Sequence, residues 1–585
     1  MASICENHLN RIRSFLLIAI VPSLYATDSI RLNQIGFYPN SPKIAAVKDI
    51  EGSPFFLVDP EGDTLYSGGL TGTRYWEHSG ENVSLADFST FTIPGEYRLC
   101  VSGLGCSSVF TIEPHEMTEA AKASLKTFYY QRASMDLTPQ YAGKWARPLG
   151  HPDTSVIIHP SAASENRPAG TRISSPKGWY DAGDYNKYIV NSGITLYTLL
   201  LLYEQFPAMM DTINLNIPES GNELPDLLDE ALWNLRWMLT MQDPEDGGVY
   251  HKCTTPQFEG MVMPHVCGQD RYLVQKSTAA ALDFAAVMAQ ASRVFSLFES
   301  ELPGLADSCL SAAKSAWAWA EIHPDVIYNQ DKINGLFDPD IWTGAYGGGD
   351  LSDEKFWAAM ELAVTTQNPE YLSGASAQSN GRRIFPQSWG DVRPLGYYTF
   401  FRHQKDLRFD LDSDLESPFL LFADSLLAKQ SESAYDVVMG ESLVNFIWGS
   451  NAIAANQSMA LFQAYLLTGK TKYRDAALSN IDYLLGRNPT AYSFLTGFGH
   501  KTPMHLHHRP SEADGIDEPI PGFLAGGPNM QRQDEQYGVK YPSSFPALCY
   551  VDTMPSYATN EIAINFNAAL VYDLFAAEAL FESER

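Results

Sequence analysis

The chain has 585 residues, of which 45% are hydrophobic and 19% are charged, a globular composition that excludes a mostly disordered or collagen-like protein. Lysine and arginine total 40 against 69 aspartate and glutamate residues, and the resulting net charge of −29 excludes nucleic acid and anionic membranes as natural partners. Length allows up to about four domains, or one large domain with a small one.

The first predicted element is a secretory signal peptide at residues 1–26. Arg11 and Arg13 precede an apolar run at 14–21 that is too short to span a bilayer, and a cleavage site is expected near Ala26. A buried N-terminal strand or helix is the alternative interpretation. Export predicts a secreted or periplasmic protein, and no later segment is expected to be long and apolar enough to span a membrane.

Residues 28–113 are predicted to form a small β-sandwich. Short apolar runs, such as 55–58 and 96–101, alternate with turn clusters at near-regular spacing. Cys100 and Cys106 flank a Gly-Leu-Gly turn, which is compatible with a hairpin disulfide or with two free buried thiols.

From residue 115 to 585 the hydrophobic period changes to about 3.6 residues, which predicts one large all-α domain. Helix pairs that form a toroid would bring their long Gly- and Pro-rich loops to its rim, where such loops usually carry function. Helices are predicted at 117–133, 185–204, 224–242, 277–295, 308–322, 352–366, 417–429, 449–467, 472–485 and 561–581.

Asp181 and Asp184 are the first candidate catalytic pair. A helix beginning near Tyr185 would place both carboxylates on one side and stabilise their ionised forms, so that they could hold and deprotonate a water. Capping of the helix N-terminus by one of them is the alternative role.

Glu561 is the second candidate, expected at the start of a very apolar last helix. Apolar surroundings would raise the pKa of its carboxyl group and suit it to general acid catalysis, whereas a helix N-terminus would lower that pKa. The sequence alone does not decide whether the pKa of Glu561 is raised or lowered. Asp552 and Tyr557 precede Glu561 in the same stretch.

Two further loops carry polar side chains in clusters. His505, His507, His508 and Arg509 could donate hydrogen bonds to sugar hydroxyls, although a solvated basic loop explains them equally well and their spacing does not favour zinc. The Gly-rich stretch 346–354 offers carboxylates that suit calcium, with a solvated turn as the alternative.

At these motifs the chain resembles family 9 glycoside hydrolases, the cellulases with an N-terminal immunoglobulin-like domain. The resemblance covers nearly the whole chain after the signal peptide. One long motif includes Ser493, Leu495, Thr496, Gly499, Lys501, Leu506, His507 and Arg509. Another includes Tyr550, Asp552, Tyr557, Glu561, Ala563, Asn567 and Ala568. Further matches lie at 178–184, 223–230 and 448–451.

The resemblance implies an (α/α)6 barrel with an open cleft, and inverting hydrolysis of β-1,4-glucosidic bonds in cellulose, cellodextrins or related β-glucans. It implies Glu561 as general acid, Asp184 as general base and Asp181 as the group that positions the water. Asp552 would support Glu561 or the substrate. Inversion needs acid and base carboxyl groups about 6.5–9.5 Å apart on opposite faces of the bond.

The resemblance also implies sugar-binding and metal-binding side chains, and no organic cofactor. A structural calcium ion is expected, and the zinc site of some relatives is not, because the stretch 150–153 lacks its cysteine. The resemblance implies His507 and Arg509 as sugar-binding residues. The aromatic side chains of Tyr557, Trp448, Trp389 and Phe566 are candidates for stacking on pyranose rings, with core packing as the alternative role of each. The expected calcium ligands are Asp350, Asp353, Glu354 and Asp391.

The sequence therefore predicts a secreted, monomeric endoglucanase or cellodextrinase. Two rival functions stay open at this point. One is an exo-β-glucosaminidase on the same scaffold, since an acidic cleft could favour a cationic amino sugar. The other is a non-catalytic carbohydrate-binding protein, which would require the loss of a carboxylate that this chain retains.

Overall fold

A computed structural model describes residues 27–373, 382–411, 413–440 and 442–582. The predicted signal peptide lies outside these residues. The described chain forms a small β-sandwich followed by a large helical domain, so the predicted fold class is confirmed.

Two sheets face each other in the sandwich. Their strands, β1 to β10 in chain order, are Ile30–Arg31, Gly36–Phe37, Ile44–Lys48, Pro54–Val58, Thr64–Gly69, Arg74–Trp76, Glu81–Asp87, Gly95–Val101, Gly105–Cys106 and Phe110–Ile112. One sheet has the order β1-β3-β7-β6, and the other has the order β2-β10-β8-β4-β5, with β9 paired to β8. The core between them is rich in Phe, Leu and Val because alternate side chains along each strand point inward. Cys100 and Cys106 form a disulfide across the β8–β9 hairpin.

Eleven helices of eleven or more residues occur in the described part of the chain. They are, from α1 to α11, Thr118–Gln131, Ile189–Gln205, Asp226–Thr240, Thr278–Phe295, Leu305–Ile322, Ser352–Thr366, Arg393–His403, Glu416–Glu432, Ser450–Thr468, Thr471–Leu484 and Ile564–Glu582. Helices α2, α4, α6, α7, α9 and α11 form a closed inner ring in which each contacts the next. Outer helices pack against them, including α3 on α2, α5 on α4 and α1 on α11.

Burial explains which helices are inside. Nearly every residue of α4 is buried, which fits a helix that is apolar around its whole circumference. Two stretches, Thr278–Phe298 and Ile564–Phe581, are long and apolar enough to cross a membrane, contrary to the sequence expectation. Most of each is buried inside the protein, 78% and 89% of the apolar window respectively, as for core helices of the ring.

The structure differs from the sequence predictions in four respects. The helix expected from residue 185 begins at Ile189, and the helix expected from 561 begins at Ile564. Helix α7 was not predicted. A small sheet in the helical domain was also missed; its strands, β11 to β15, are Val156–Ile158, Arg172–Ile173, Lys187–Tyr188, Lys252–Thr254 and Tyr272–Leu273, in the order β12-β11-β15-β14-β13.

The sandwich packs directly against the barrel. Tyr38 stacks on Phe581 with ring centroids 4.6 Å apart and donates a 2.9 Å hydrogen bond to Glu578. A buried ion pair between Arg31 and Glu81 includes the hydroxyl of Tyr435. Because Tyr38, Arg31, Glu81 and Tyr435 are buried and bonded to one another or to Glu578 at this contact, the sandwich and the helical domain form one packed unit.

Candidate active site

Three chain segments meet at the centre of the cleft. Short β-bridges join Ala182 to Ala563 and His507 to Glu561. A Cβ atom at residue 183 would lie only 2.1 Å from the carbonyl oxygen of His507, so the close approach requires Gly183. The two predicted catalytic motifs, separated by hundreds of residues, are brought together by this backbone contact.

Asp184 is 5% exposed and is held by two side chains. Its Oδ2 accepts hydrogen bonds from the amide of Asn186 and, at 3.0 Å, from the hydroxyl of Tyr188. The backbone N–H of Thr255 donates to Asn186 Oδ1 at 2.9 Å and fixes that amide. The carboxylate is therefore held in one orientation.

Asp181 is more deeply enclosed, at 1% exposure. Asn191 donates to Oδ1 at 2.8 Å and the hydroxyl of Tyr346 donates to Oδ2 at 2.6 Å. Burial, followed by the neighbouring Asp184 charge, raises the pKa of Asp181 to about 8. The expectation that a helix start favours its ionised form is wrong, because the helix that follows Asp181 begins only at Ile189.

Glu561 lies in an extended link before α11, not in the first helical turn. It is partly accessible, yet the surrounding protein desolvates its carboxyl group and raises the pKa to about 8, with the Asp184 charge adding to the rise. Arg509 and the N–H of Gly183 oppose the rise but do not cancel it. The direction of the Glu561 pKa shift, which the sequence left open, is therefore upward.

The hydrogen bonds of Asp552 go to the loop beside the site and not to Asp181, Asp184 or Glu561. Its oxygens accept from the N–H groups of Met504 and His505 at 2.8 and 2.9 Å, and from Asn560 at 3.0 Å. These bonds fix the loop that carries His507, so Asp552 positions the site.

His507 and Arg509 flank Glu561 from the same loop. His507 Nδ1 bonds the carbonyl of Met554 at 2.8 Å, and burial lowers the pKa of its imidazole. Arg509 donates from Nε to the Glu259 carbonyl and from Nη1 to the Gly183 carbonyl. Two of its three nitrogens are therefore used to join loops.

The expected aromatic side chains divide into two groups. Trp448 is 43% exposed and lies 5.0 Å from the ring of Tyr557, while Trp389 is 37% exposed and lies 5.0 Å from Tyr346. Both rings are partly exposed, as stacking on a pyranose ring requires. Phe566 instead packs under residue 449, where a Cβ would lie 2.8 Å from its ring.

The expected calcium ligands surround one cavity of about 380 Å³, next to the catalytic cleft. Asp353 and Glu354 are buried, and burial next to Asp353 raises the pKa of Glu354 well above its usual value. Asp391 also lines the cavity, whereas Asp350 is exposed and bonds Arg382. Carboxylate oxygens are the ligands that calcium uses, and these four line one cavity together with Arg382, Arg383 and Arg393.

Sequence reasoning missed the hydrogen-bond donors that orient the aspartates. Tyr188 belongs to strand β13, and Asn191 lies in the first turn of α2. Tyr346 stands at the edge of the predicted calcium loop and reaches Asp181 across the cleft. Nothing in their sequence spacing distinguishes these residues from core residues.

Comparison with known proteins identifies the scaffold. The model of glycosyl hydrolase family 9 matches residues 118–574, and that of the cellulase N-terminal ig-like domain matches residues 25–105. The chain belongs to glycosyl hydrolase family 9.

Individual family 9 relatives span almost the whole chain. A xyloglucan-specific endo-β-1,4-glucanase, BoGH9A of Bacteroides ovatus, is 47% identical over 97% of this chain and 97% of its own length. Endoglucanase D of Acetivibrio thermocellus is 34% identical over 94% of this chain and 83% of its own length. A solved structure, Bacteroides ovatus GH9, has a TM-score of 0.88 and 45% identity, covering 95% of this chain and 99% of the other.

The family 9 chain is thus a glycoside hydrolase of the endo-β-1,4-glucanase type, with β-glucan as its substrate class. The comparisons do not favour the amino-sugar or non-catalytic alternatives.

Proposed function

We propose that this enzyme cleaves β-1,4-glucans with inversion, using Glu561 as general acid and Asp184 as general base. The observation that carries the assignment is the contrast between the two carboxyl groups. Glu561 retains its proton to about pH 8, as an acid for the leaving oxygen requires. Asp184 accepts bonds from Asn186 and Tyr188, a setting suited to a carboxylate that activates water.

Asp181 assists the base in this proposal. Its raised pKa means that it can share a proton with the water or with Tyr346 while Asp184 takes the proton. His507 and Arg509 bind the sugar beside the cleaved bond, and Trp448, Tyr557 and Trp389 stack on pyranose rings farther along the cleft. Asp552 holds the His507 loop.

The finer substrate is proposed to be xyloglucan. Support comes from the 47% identical relative, whose name gives that specificity. A cleft that accepts branched glucan should hydrolyse xyloglucan with a higher kcat/KM than an unbranched cellodextrin of equal backbone length. Equal or lower kcat/KM on xyloglucan would assign the enzyme to cellodextrins instead.

Proton NMR during hydrolysis tests the mechanism. With cellohexaose, the wild type should release fresh α-anomer, because inversion of a β-linkage gives the α-product. Glu561→Gln should lower kcat by about 10²–10⁴-fold, the usual value of general acid catalysis, and leave substrate binding nearly intact. The exposed Glu512→Gln variant is the matched control. Fresh β-anomer would contradict both role assignments.

Export through the predicted signal peptide, a monomeric state and a calcium ion among Asp353, Glu354 and Asp391 complete the proposal. The four-carboxylate cavity supports the ion, and Asp350 would join it only by leaving Arg382. Calcium there would fasten the start of α6 to residues 389–391 and stabilise the cleft wall that carries Trp389.

A further inference from the structure

A second group of metal-binding side chains lies away from the calcium cavity. The group consists of His151, Glu259 and Cys267, each of which offers one ligand atom, and the three atoms lie within 4.8 Å of one another. Glu259 and Cys267 belong to the loop 255–271 between β14 and β15, and His151 comes from the segment before β11. Imidazole nitrogen, thiolate sulfur and carboxylate oxygen are ligands of zinc-like divalent cations.

His151, a member of this group, has one buried ring nitrogen without a hydrogen-bond partner. The residue is 8% exposed, and its Nδ1 bonds the hydroxyl of Tyr180 at 2.9 Å. Its Nε2 is buried and has no hydrogen-bond partner. A buried polar atom of this kind costs free energy unless a ligand satisfies it. Metal-bound histidines commonly have their second nitrogen fixed by an outer hydrogen bond, as Tyr180 fixes this one.

The loop 255–271 packs tightly against Gly150, which has no side chain. A Cβ at residue 150 would lie 2.5 Å from Pro264 and 3.0 Å from the Tyr180 hydroxyl, so only glycine admits the loop. The zinc site that some relatives build partly from a cysteine in this stretch therefore does not fit here. Cys267, which packs against Tyr180 and Tyr185, supplies a thiol from the other side.

The surrounding charges are compatible with a cation. Arg271, Lys187 and Arg147 lie near His151. Arg271 and Lys187 are paired with the buried Asp153, at 3.1 and 2.7 Å, and Arg147 donates to the backbone carbonyls of Tyr130 and Arg132. Glu259 and a deprotonated Cys267 would bring two negative charges to a divalent ion. Zinc bonds of about 2.0–2.3 Å require these ligand atoms to approach by on the order of 1 Å, within the reach of the two partly exposed loop side chains.

We propose that His151, Glu259 and Cys267 bind one zinc-like divalent cation that fastens the loop 255–271 to the barrel. This loop supports the cleft directly: the carbonyl of Glu259 accepts from Arg509 at 2.8 Å, and that of Val262 accepts from Tyr185 at 2.6 Å. The ion would thereby hold Arg509 and Tyr185, the residue that follows Asp184. Its role is positional, and it does not contact the reacting atoms.

Metal titration of the full-length enzyme, free of any histidine tag, tests the proposal. Metal-stripped protein in excess calcium should bind one equivalent of zinc by elemental analysis, and cobalt should give a thiolate charge-transfer band in the near ultraviolet. Cys267→Ala should abolish the band and weaken zinc binding at least tenfold. Cys309→Ala, a buried cysteine on α5 outside the group, should leave both unchanged.

A second variant, Glu259→Gln, keeps the test informative if Cys267→Ala fails to fold. It changes a partly exposed side chain, should keep the cobalt–thiolate band and should weaken binding at least tenfold. Absence of the band in the wild type, or wild-type zinc affinity in Cys267→Ala, would overturn the site. Neither result bears on the roles of Glu561 and Asp184, which the NMR experiment tests separately.

Discussion

Three carboxyl groups share the centre of the cleft, and their neighbours determine where the protons reside. Asp181 and Glu561 have pKa values raised to about 8, with burial the largest cause in both cases and the charge of Asp184 the second. Asp184 is the one of the three that accepts hydrogen bonds from both Asn186 and Tyr188.

The alkaline limit of activity follows from this arrangement. The acid must be protonated, so kcat/KM on cellohexaose should fall as pH rises through about 8, the pKa of Glu561. An ordinary glutamate would lose its proton near its usual pKa of about 4.3 and give little activity at neutral pH. A profile that already declines below pH 6 would contradict the assignment of Glu561 as the acid.

The identities of the acidic residues could be predicted from the sequence, but their surroundings could not. Asp181, Asp184 and Glu561 stand in motifs specific enough to align with a family. Tyr346 reaches Asp181 from 165 positions away, and only the closed ring of helices makes that contact. The sign of the Glu561 shift also required the fold, since it depends on which atoms exclude water.

At the scale of elements, prediction succeeded where periodicity is long. Helix α6 has the predicted bounds, Ser352–Thr366, because its apolar spacing is regular and its first turn is acidic. Helix α7 was missed because Pro394 and Gly396 interrupt its start and aromatic residues occur on several sides. Strand β13 is two residues long, too short to show an alternating pattern, so the helix start was placed four residues early.

The calcium proposal concerns the junction of α6 with the preceding loop. Chelation should lower Tm and leave kcat on cellohexaose nearly unchanged at a temperature well below unfolding. At a calcium concentration of about 100 times Kd, the ion should contribute about 2.7 kcal/mol to the free energy of unfolding. Asp353→Asn should remove the effect of the chelator, and exposed Asp406→Asn should retain it. A wild-type Tm that is insensitive to chelator would refute the ion.

The contact between strand β7 of the sandwich and the helical barrel permits a second test at this scale. Glu81 on β7 is 6% exposed, and Arg31, Lys48 and Tyr435 lower its pKa to about 2. Glu81→Gln would leave Arg31 as a buried charge with weakened pairing, which should cost about 3 kcal/mol in the free energy of unfolding. Denaturant unfolding measures this, with Glu77→Gln, 81% exposed, as control. A loss below about 0.5 kcal/mol would show that the pair contributes nothing to stability.

For the whole molecule, composition and period predicted a sandwich followed by a helical domain. They could not predict how the two pack, since Arg31 meets Tyr435 and Tyr38 meets Phe581 across most of the chain. Such contacts depend on the three-dimensional closure of the barrel and leave no local pattern. The sandwich core and barrel core nevertheless meet, because Tyr38 and Trp76 belong to the barrel's cluster of buried residues.

The buried acids of both domains give the whole molecule a characteristic dependence of stability on pH. Burial raises the pKa of a set of carboxyl groups well above their values in the unfolded chain. The set comprises Asp181 and Glu561, at about 8, and Glu116, Asp229 and Glu230, at about 7. Each member of this set keeps its proton to a higher pH in the folded state than in the unfolded chain, so its contribution to stability falls as pH rises from about 4 to its folded pKa. Burial lowers the pKa of His151, His251 and His508 to about 3, and these imidazoles act in the opposite direction below about pH 6.5.

Carboxyl groups with lowered pKa values act in the opposite direction, but at lower pH. Glu81, at about 2, loses its stabilising contribution only below about pH 4. Tm in chelator, which removes the opposing effect of calcium, should therefore be higher at pH 7 than at pH 8.5 at constant ionic strength, a range above the usual histidine pKa of about 6.5. Repulsion within a chain of net charge −29 acts in the same direction. A Tm that rises from pH 7 to 8.5 would contradict the raised pKa values of this set of carboxyl groups, that of Glu561 included.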